Sequence, residues 1–139
     1  MKKLLLVLLV SSTPLLASAC GQNKQSEQEK AEVQAEAYVK SQQAGDWAQF
    51  CGLLTTKSQE TIQQTIVQED GAKPASCIDA IQGSSTKTQI ALRKAASVIT
   101  VSGVEVNGDQ AIITAKTPKG NKSLGMVKED DQWRVALVP

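Results

Sequence analysis

The chain has 139 residues, with 15 lysines and arginines against 14 aspartates and glutamates, and it contains no histidine. This length fits one small domain. With a net charge of +1, the chain lacks the excess of basic residues that is typical of nucleic-acid-binding proteins. Without histidine, a Ser-His-Asp triad, a Cys-His pair and an HExxH zinc site are excluded. We therefore expect no nucleic-acid partner, no metal site and no cofactor.

The first 19 residues have the three-part order of a secretory signal peptide. A basic start at Lys2 and Lys3 precedes the unbroken apolar run Leu4–Val10, and small residues follow at Ala17–Ala19. This order is typical of an export signal that is removed by cleavage. Because Leu4–Ala19 is shorter than the roughly 20 apolar residues that a transmembrane helix needs, we predict cleavage and not a retained membrane helix.

The residues Leu16-Ala17-Ser18-Ala19-Cys20 resemble the bacterial lipobox, in which small residues precede an obligatory cysteine. The resemblance implies that Cys20 becomes the N-terminus, carries diacylglycerol on its sulfur and is acylated on its amine. Membrane lipid would then hold the protein in the cell envelope. Gly21 is not the aspartate of an inner-membrane retention signal, so the anchor is expected in the outer membrane of a Gram-negative host or the outer leaflet of a Gram-positive plasma membrane. The alternative is a secreted protein that starts at Cys20 without lipid.

The three cysteines, Cys20, Cys51 and Cys77, are an odd number for an exported protein. Exported proteins usually pair their cysteines, and lipidation of Cys20 explains the one left over. Cys51 and Cys77 then form a predicted disulfide, and two buried free thiols are the alternative.

The segment Gly21–Lys30 contains no apolar residue, which predicts a disordered tether between the anchor at residue 20 and the domain. Apolar residues recur at helical spacing from Ala31, and Gly45 is a suitable stop. Asp46 opens a capping box, which predicts a second short helix from Trp47. The folded domain is therefore expected to run from residue 31 to residue 139.

Further helices are predicted in the middle of the chain. A capping pattern at Thr56 and Gln59 indicates a third helix, and Pro74 suits the start of a fourth that carries Cys77. Residues 90–96 fit either one more helical stretch or an irregular lead into the strands.

Four strands are predicted after Val98, where the apolar residues begin to alternate. Gly103 interrupts the first strand as a β-bulge would. Asn107-Gly108 is a strong hairpin signal, and polar turns at Pro118–Asn121 and Glu129–Gln132 separate the remaining strands. Helices first and an antiparallel meander last predict an α+β fold, with helices packed on a curved sheet of about four strands.

Several short motifs follow one another in a characteristic order. They are Gly45-Asp46, Cys51-Gly52-Leu53-Leu54-Thr55, Ser76-Cys77, Gly108-Asp109-Gln110-Ala111 and Trp133. Their order resembles the nuclear-transport-factor-2-like (cystatin-like cone) superfamily, especially its small exported lipoproteins of actinobacterial type. The resemblance implies a curved sheet wrapped around helices, with an apolar pocket at the open end of the cone. It implies no single activity, because this fold hosts many.

The first candidate function is a non-catalytic interaction module presented at the membrane. Its partner would be another envelope protein or a second copy of the chain. Val127, Ala136 and Val138 lie on the strand face opposite Trp133 and would supply the interface of such a homodimer.

The alternative is an envelope receptor that binds a small apolar ligand or lipid in the cone pocket. The chain has four aromatic residues that would line this pocket: Tyr38, Trp47, Phe50 and Trp133. Ordinary core packing is the competing role for all four, because a core with so few aromatic side chains needs them.

A second alternative is an enzyme of the isomerase or dehydratase kind, because some relatives of the fold carry a buried acid–base pair. The chain offers one tyrosine and no histidine for such a pair. Glu105 is the nearest acidic candidate, but the alternation of its strand predicts that it faces water. We therefore expect a protein that is not an enzyme.

Overall fold

The computed structural model describes residues 20–66 and 68–137, with side chains described from Ser26 onward. Five helices precede a four-stranded antiparallel sheet, so the chain has the predicted α+β fold. The predicted signal peptide, residues 1–19, and Val138 of the predicted dimer interface lie outside the described residues.

The elements follow one another with short connections, except for the longer segment between the third and fourth helices. The helices are α1 (Cys20–Ala44), α2 (Trp47–Gly52), α3 (Thr56–Thr65), α4 (Cys77–Gln82) and α5 (Thr86–Ala96). The strands are β1 (Thr100–Asn107), β2 (Gln110–Thr117), β3 (Gly120–Glu129) and β4 (Gln132–Ala136), hydrogen-bonded in that order. Within the described part of the chain, no helix combines the length and the apolar character needed to cross a bilayer.

Short polar side chains begin the helices that follow α1. Asp46 caps α2 by accepting a hydrogen bond from the backbone N–H three residues later at 3.1 Å, as predicted. The cap of α3 is Thr55, one residue before the predicted Thr56. Ser76 caps α4, so this helix starts after the cap and not at Pro74. In each case a side-chain oxygen satisfies a backbone donor that the first turn leaves free.

The segment Gly21–Lys30, predicted as a disordered tether, is helical and belongs to α1. Its lack of apolar residues does not prevent a helix, because polar side chains in it have partners. Glu27 accepts a hydrogen bond from the indole of Trp133 and forms an ion pair with Lys128. Trp133 lies 106 positions further along the chain, so no local pattern indicates this contact.

The β1–β2 hairpin forms where the sequence predicts it. Asn107 pairs with Gln110 across the turn, and Gly108 has a φ of 62°, the left-handed conformation that such tight turns require. The pairing register shifts between Val101 and Gly103, which confirms the predicted bulge.

The hydrophobic core lies between the helices and the inner face of the sheet. Alternation along β2 turns Ala111, Ile113 and Ala115 inward. Leu54 and Val135, both fully buried, meet where the loop between α2 and α3 runs beside β4. In this loop Thr55 donates its N–H to the carbonyl of Val135 at 2.9 Å, and Val135 donates its N–H to the carbonyl of Leu53 at 2.8 Å.

A disulfide joins Cys51 and Cys77, as predicted, with an S–S distance of 2.06 Å. Both cysteines are 3% exposed. The bond ties α2 to α4 and closes a loop that contains α3.

Candidate functional site

All four aromatic candidates pack in the core. Trp47 and Phe50 are 6% and 4% exposed, and their rings meet edge to face at 5.9 Å between centroids. Phe50 also stacks on Tyr38 at 5.1 Å. Trp133 is buried near the other end of α1 beside Glu27. Core packing therefore accounts for Trp47, Phe50 and Trp133, and Tyr38 is the member of the set that also faces open space.

That space is a cleft of about 240 Å³ between α1 and the inner face of the sheet. Its apolar lining comes from Ala35, Val39, Ile99, Val101, Ile113, Ala115 and Leu124. Polar groups are contributed by Tyr38, Gln42, Thr117, Lys122 and Ser123. The volume is just below the roughly 300–1,000 Å³ of typical small-molecule sites, so the cleft fits a small ligand or one that stays partly exposed.

Two periodicities bring these side chains together. On α1, residues 35, 38, 39 and 42 share one face because they follow the helical spacing i, i+3, i+4 and i+7. On β2, Ile113, Ala115 and Thr117 share the inward face. The β2–β3 register places Leu124 beside Ile113 and Lys122 beside Ala115, which adds β3 to the lining. Sequence reasoning looked for aromatic residues and missed these aliphatic ones.

The polar groups of the cleft allow binding chemistry of a limited kind. A tyrosine hydroxyl is already neutral near physiological pH, and burial raises the pKa of Tyr38 further, to about 12, so this group offers hydrogen bonds rather than a base. Gln42 donates a hydrogen bond from Nε2 to the carbonyl of Leu92 at 3.0 Å, which connects α1 to α5. Lys122 is exposed and places a positive charge beside the apolar lining.

The opposite face of the sheet is open to solvent. Ile112 is 55% exposed there, paired with Glu105 on one side and Gly125 on the other. Glu105 is exposed and faces water, as its strand pattern predicts. Val127 and Ala136 are half-buried and lie on this same face, opposite Trp133 and Val135. These two residues and Ile112 form the outer-face patch.

A third group of interest centres on Glu27, which sequence reasoning did not single out. Its carboxylate contacts Lys30 at 2.9 Å and Lys128 at 3.1 Å, and it accepts a hydrogen bond from Trp133 Nε1 at 3.1 Å. The hydrogen bonds from Lys30 and then Lys128 lower the pKa of Glu27 to about 2. These contacts fasten the beginning of α1 to the β3–β4 hairpin.

Cys20, the predicted lipidation site, is the first residue of α1. No group of three or more side chains suited to a metal ion lies together among the residues that the structure describes. No protein-family model matches the chain, and no curated protein or solved structure is significantly similar to it.

Proposed function

We propose that the protein is a membrane-anchored lipoprotein of the bacterial cell envelope whose domain is a non-catalytic interaction module. The anchor is inferred from the Leu16–Cys20 motif at the end of the export signal. Several acyl chains on Cys20 would hold the protein stably, because one chain alone binds a bilayer only marginally.

The observation that carries the interaction module is the outer-face patch. Ile112 exposes more than half of its surface at the middle of an open sheet, and Val127 and Ala136 extend the apolar area beside it. Polar residues border this area: Glu105 pairs with Ile112, and Gln110 and Arg134 pair with Val127. A polar rim around an apolar centre is usual at protein interfaces. The partner we favour is a second copy of the chain, because two such faces can pack against each other as sheets do in a sandwich.

The anchor is tested by the intact mass of the protein extracted from membranes of its host. We expect a chain that starts at Cys20 and carries the added mass of a diacylglycerol and a further acyl group. A soluble product with an unmodified Cys20 would refute the lipoprotein proposal.

The interaction surface is tested by sedimentation velocity over a range of protein concentrations. We expect a dimer that is lost in Ile112→Lys, because a charge at the centre of the interface would have to be desolvated. Ile90→Lys is the matched control, since Ile90 is 57% exposed but lies on α5. A monomer at all concentrations, or equal effects of the two substitutions, would rule out this partner.

The second candidate function is a receptor for a small apolar ligand or lipid, and the cleft beside Tyr38 favours it. Native mass spectrometry of the protein from its host would detect a carried molecule. Thr117→Trp, which fills the cleft, should abolish that added mass. Thr114→Trp should preserve it, because Thr114 is half-buried on the opposite face of the same strand. An unliganded mass for the native chain would weigh against the receptor.

A further inference from the structure

The helix α1 crosses the sheet from one end to the other, so its first residue lies at a defined end of the domain. Glu27 contacts the β3–β4 hairpin, whereas Val39 lines the cleft beside Ile99 near the start of β1. The helical rise places Cys20 about 10 Å beyond Glu27, on the side away from the cleft.

The contacts of Glu27 hold the helix on that hairpin from both of its strands. Lys128 belongs to β3 and Trp133 to β4, and each bonds to the same carboxylate oxygen at 3.1 Å. Glu27 and Lys128 are partly shielded, with 25% and 22% of their side chains exposed. The start of α1 therefore cannot swing away from the sheet without breaking both contacts.

The two ends of the sheet carry opposite charges. The β1–β2 and β3–β4 turns lie side by side, since Lys128 donates its N–H to the carbonyl of Asp109 at 2.8 Å. Exposed acidic side chains mark these turns: Asp109, Asp130 and Asp131. The β2–β3 turn at the other end is surrounded by exposed lysines: Lys116, Lys119 and Lys122.

We propose that α1 is a rigid stalk that fixes the orientation of the domain on the membrane. The contacts of Glu27 with Lys128 and Trp133, which we call the latch, fasten this stalk to the β3–β4 hairpin. The two acidic turns face the bilayer about 10 Å above it, and the lysine-rich turn faces away, together with the cleft side chains Thr117 and Lys122. This inference rests on the proposed lipidation of Cys20. Anionic headgroups attract lysines and repel carboxylates, so this orientation is maintained by the contacts of Glu27 with the hairpin and not by the charges of the two ends. Ligands then reach the cleft from the envelope side and not from the bilayer.

Site-directed fluorescence quenching tests this orientation. Asn107→Cys and Lys119→Cys each add one thiol at an exposed position, at the membrane-facing and far ends. The fluorophore reacts with the added thiol, because Cys51 and Cys77 are bonded to each other and Cys20 is acylated under the proposal. The ends are separated by the length of β2, about 24 Å. In vesicles of phosphatidylethanolamine and phosphatidylglycerol with a headgroup nitroxide, we expect several-fold stronger quenching at position 107.

The latch is tested in the same two labelled chains. Glu27→Lys places a positive charge against Lys128 and should reduce the difference in quenching between positions 107 and 119. Glu32→Lys is the control, because Glu32 is exposed on the same helix, and it should leave the difference unchanged. Far-ultraviolet circular dichroism verifies that each variant is folded, because loss of the Glu27 contact by itself changes the environment of Trp133.

The outcomes separate this proposal from the lipoprotein proposal. An unacylated mass refutes both. An acylated chain with equal quenching at the two ends, or stronger quenching at Lys119→Cys, overturns the orientation alone. An unchanged difference in Glu27→Lys overturns the role of Glu27 as the latch.

Discussion

Replacing both cysteines of the Cys51–Cys77 disulfide with alanine should lower the free energy of unfolding by about 3.5 kcal/mol. The bond joins residues 26 positions apart. In the chain-entropy model, closing a loop of that length removes about 12 cal/mol/K of entropy from the denatured chain, which gives this figure at 25 °C. Because both side chains are 3% exposed, small voids left by alanine add to the loss. The Tm should fall by roughly 10–20 °C for a domain of this size.

Urea titration followed by tryptophan fluorescence measures this loss, since Trp47 and Trp133 are both buried and change environment on unfolding. Reducing the wild-type chain should bring its midpoint close to that of the double variant, and the variant itself should not respond to reductant. The slope of the transition should rise on reduction, because an unlinked denatured chain exposes more surface. A loss below about 1 kcal/mol would contradict the loop-closure argument.

Three further predictions follow from buried or paired groups. Contacts with Lys30 and Lys128 lower the pKa of Glu27 from 4.5 to about 2, so its contribution to stability is present above about pH 4.5 and lost as the pH falls towards 2; urea midpoints of Glu27→Gln should fall less over that range than those of wild type. Burial raises the pKa of Tyr38 from 10.0 to about 12, so the contribution of its neutral hydroxyl to folding stability is present below about pH 10 and lost as the pH rises towards 12. An alkaline absorbance titration of the folded protein with a midpoint near 10 would contradict this prediction. Leu54→Ala should cost about 2–5 kcal/mol in denaturation experiments because Leu54 is fully buried, whereas an equal cost for half-buried Leu53 would be unexpected.

Features that depend on neighbouring residues could be predicted from the sequence. The Asn107-Gly108 turn and the cap at Asp46 are local, because a few adjacent residues supply the required geometry. The order of helices and strands follows from periodicity in the same way. The cysteine pair followed from counting, because the proposed lipidation of Cys20 leaves two others to bond.

Features that depend on distant residues could not be predicted. The helix over Gly21–Lys30 is held by Lys128 and Trp133, whose proximity to Glu27 exists only after the sheet has formed. The cleft was expected to be aromatic, but a core with few large side chains takes up most of them. Its aliphatic lining converges from α1 and three strands through the β2–β3 register, which no single segment of sequence specifies.

The loop between α2 and α3 also covers part of one edge of the sheet. β4 is an edge strand, and Leu53 and Thr55 bond to both backbone groups of Val135 along its free edge. An extended segment of a neighbouring molecule therefore has little opportunity to pair with this strand. Unpaired strand margins promote open-ended aggregation, and that hazard grows when molecules are concentrated in the plane of a membrane. Because the edge of β4 is covered, self-association is expected to stop at a dimer and not to continue into a fibre.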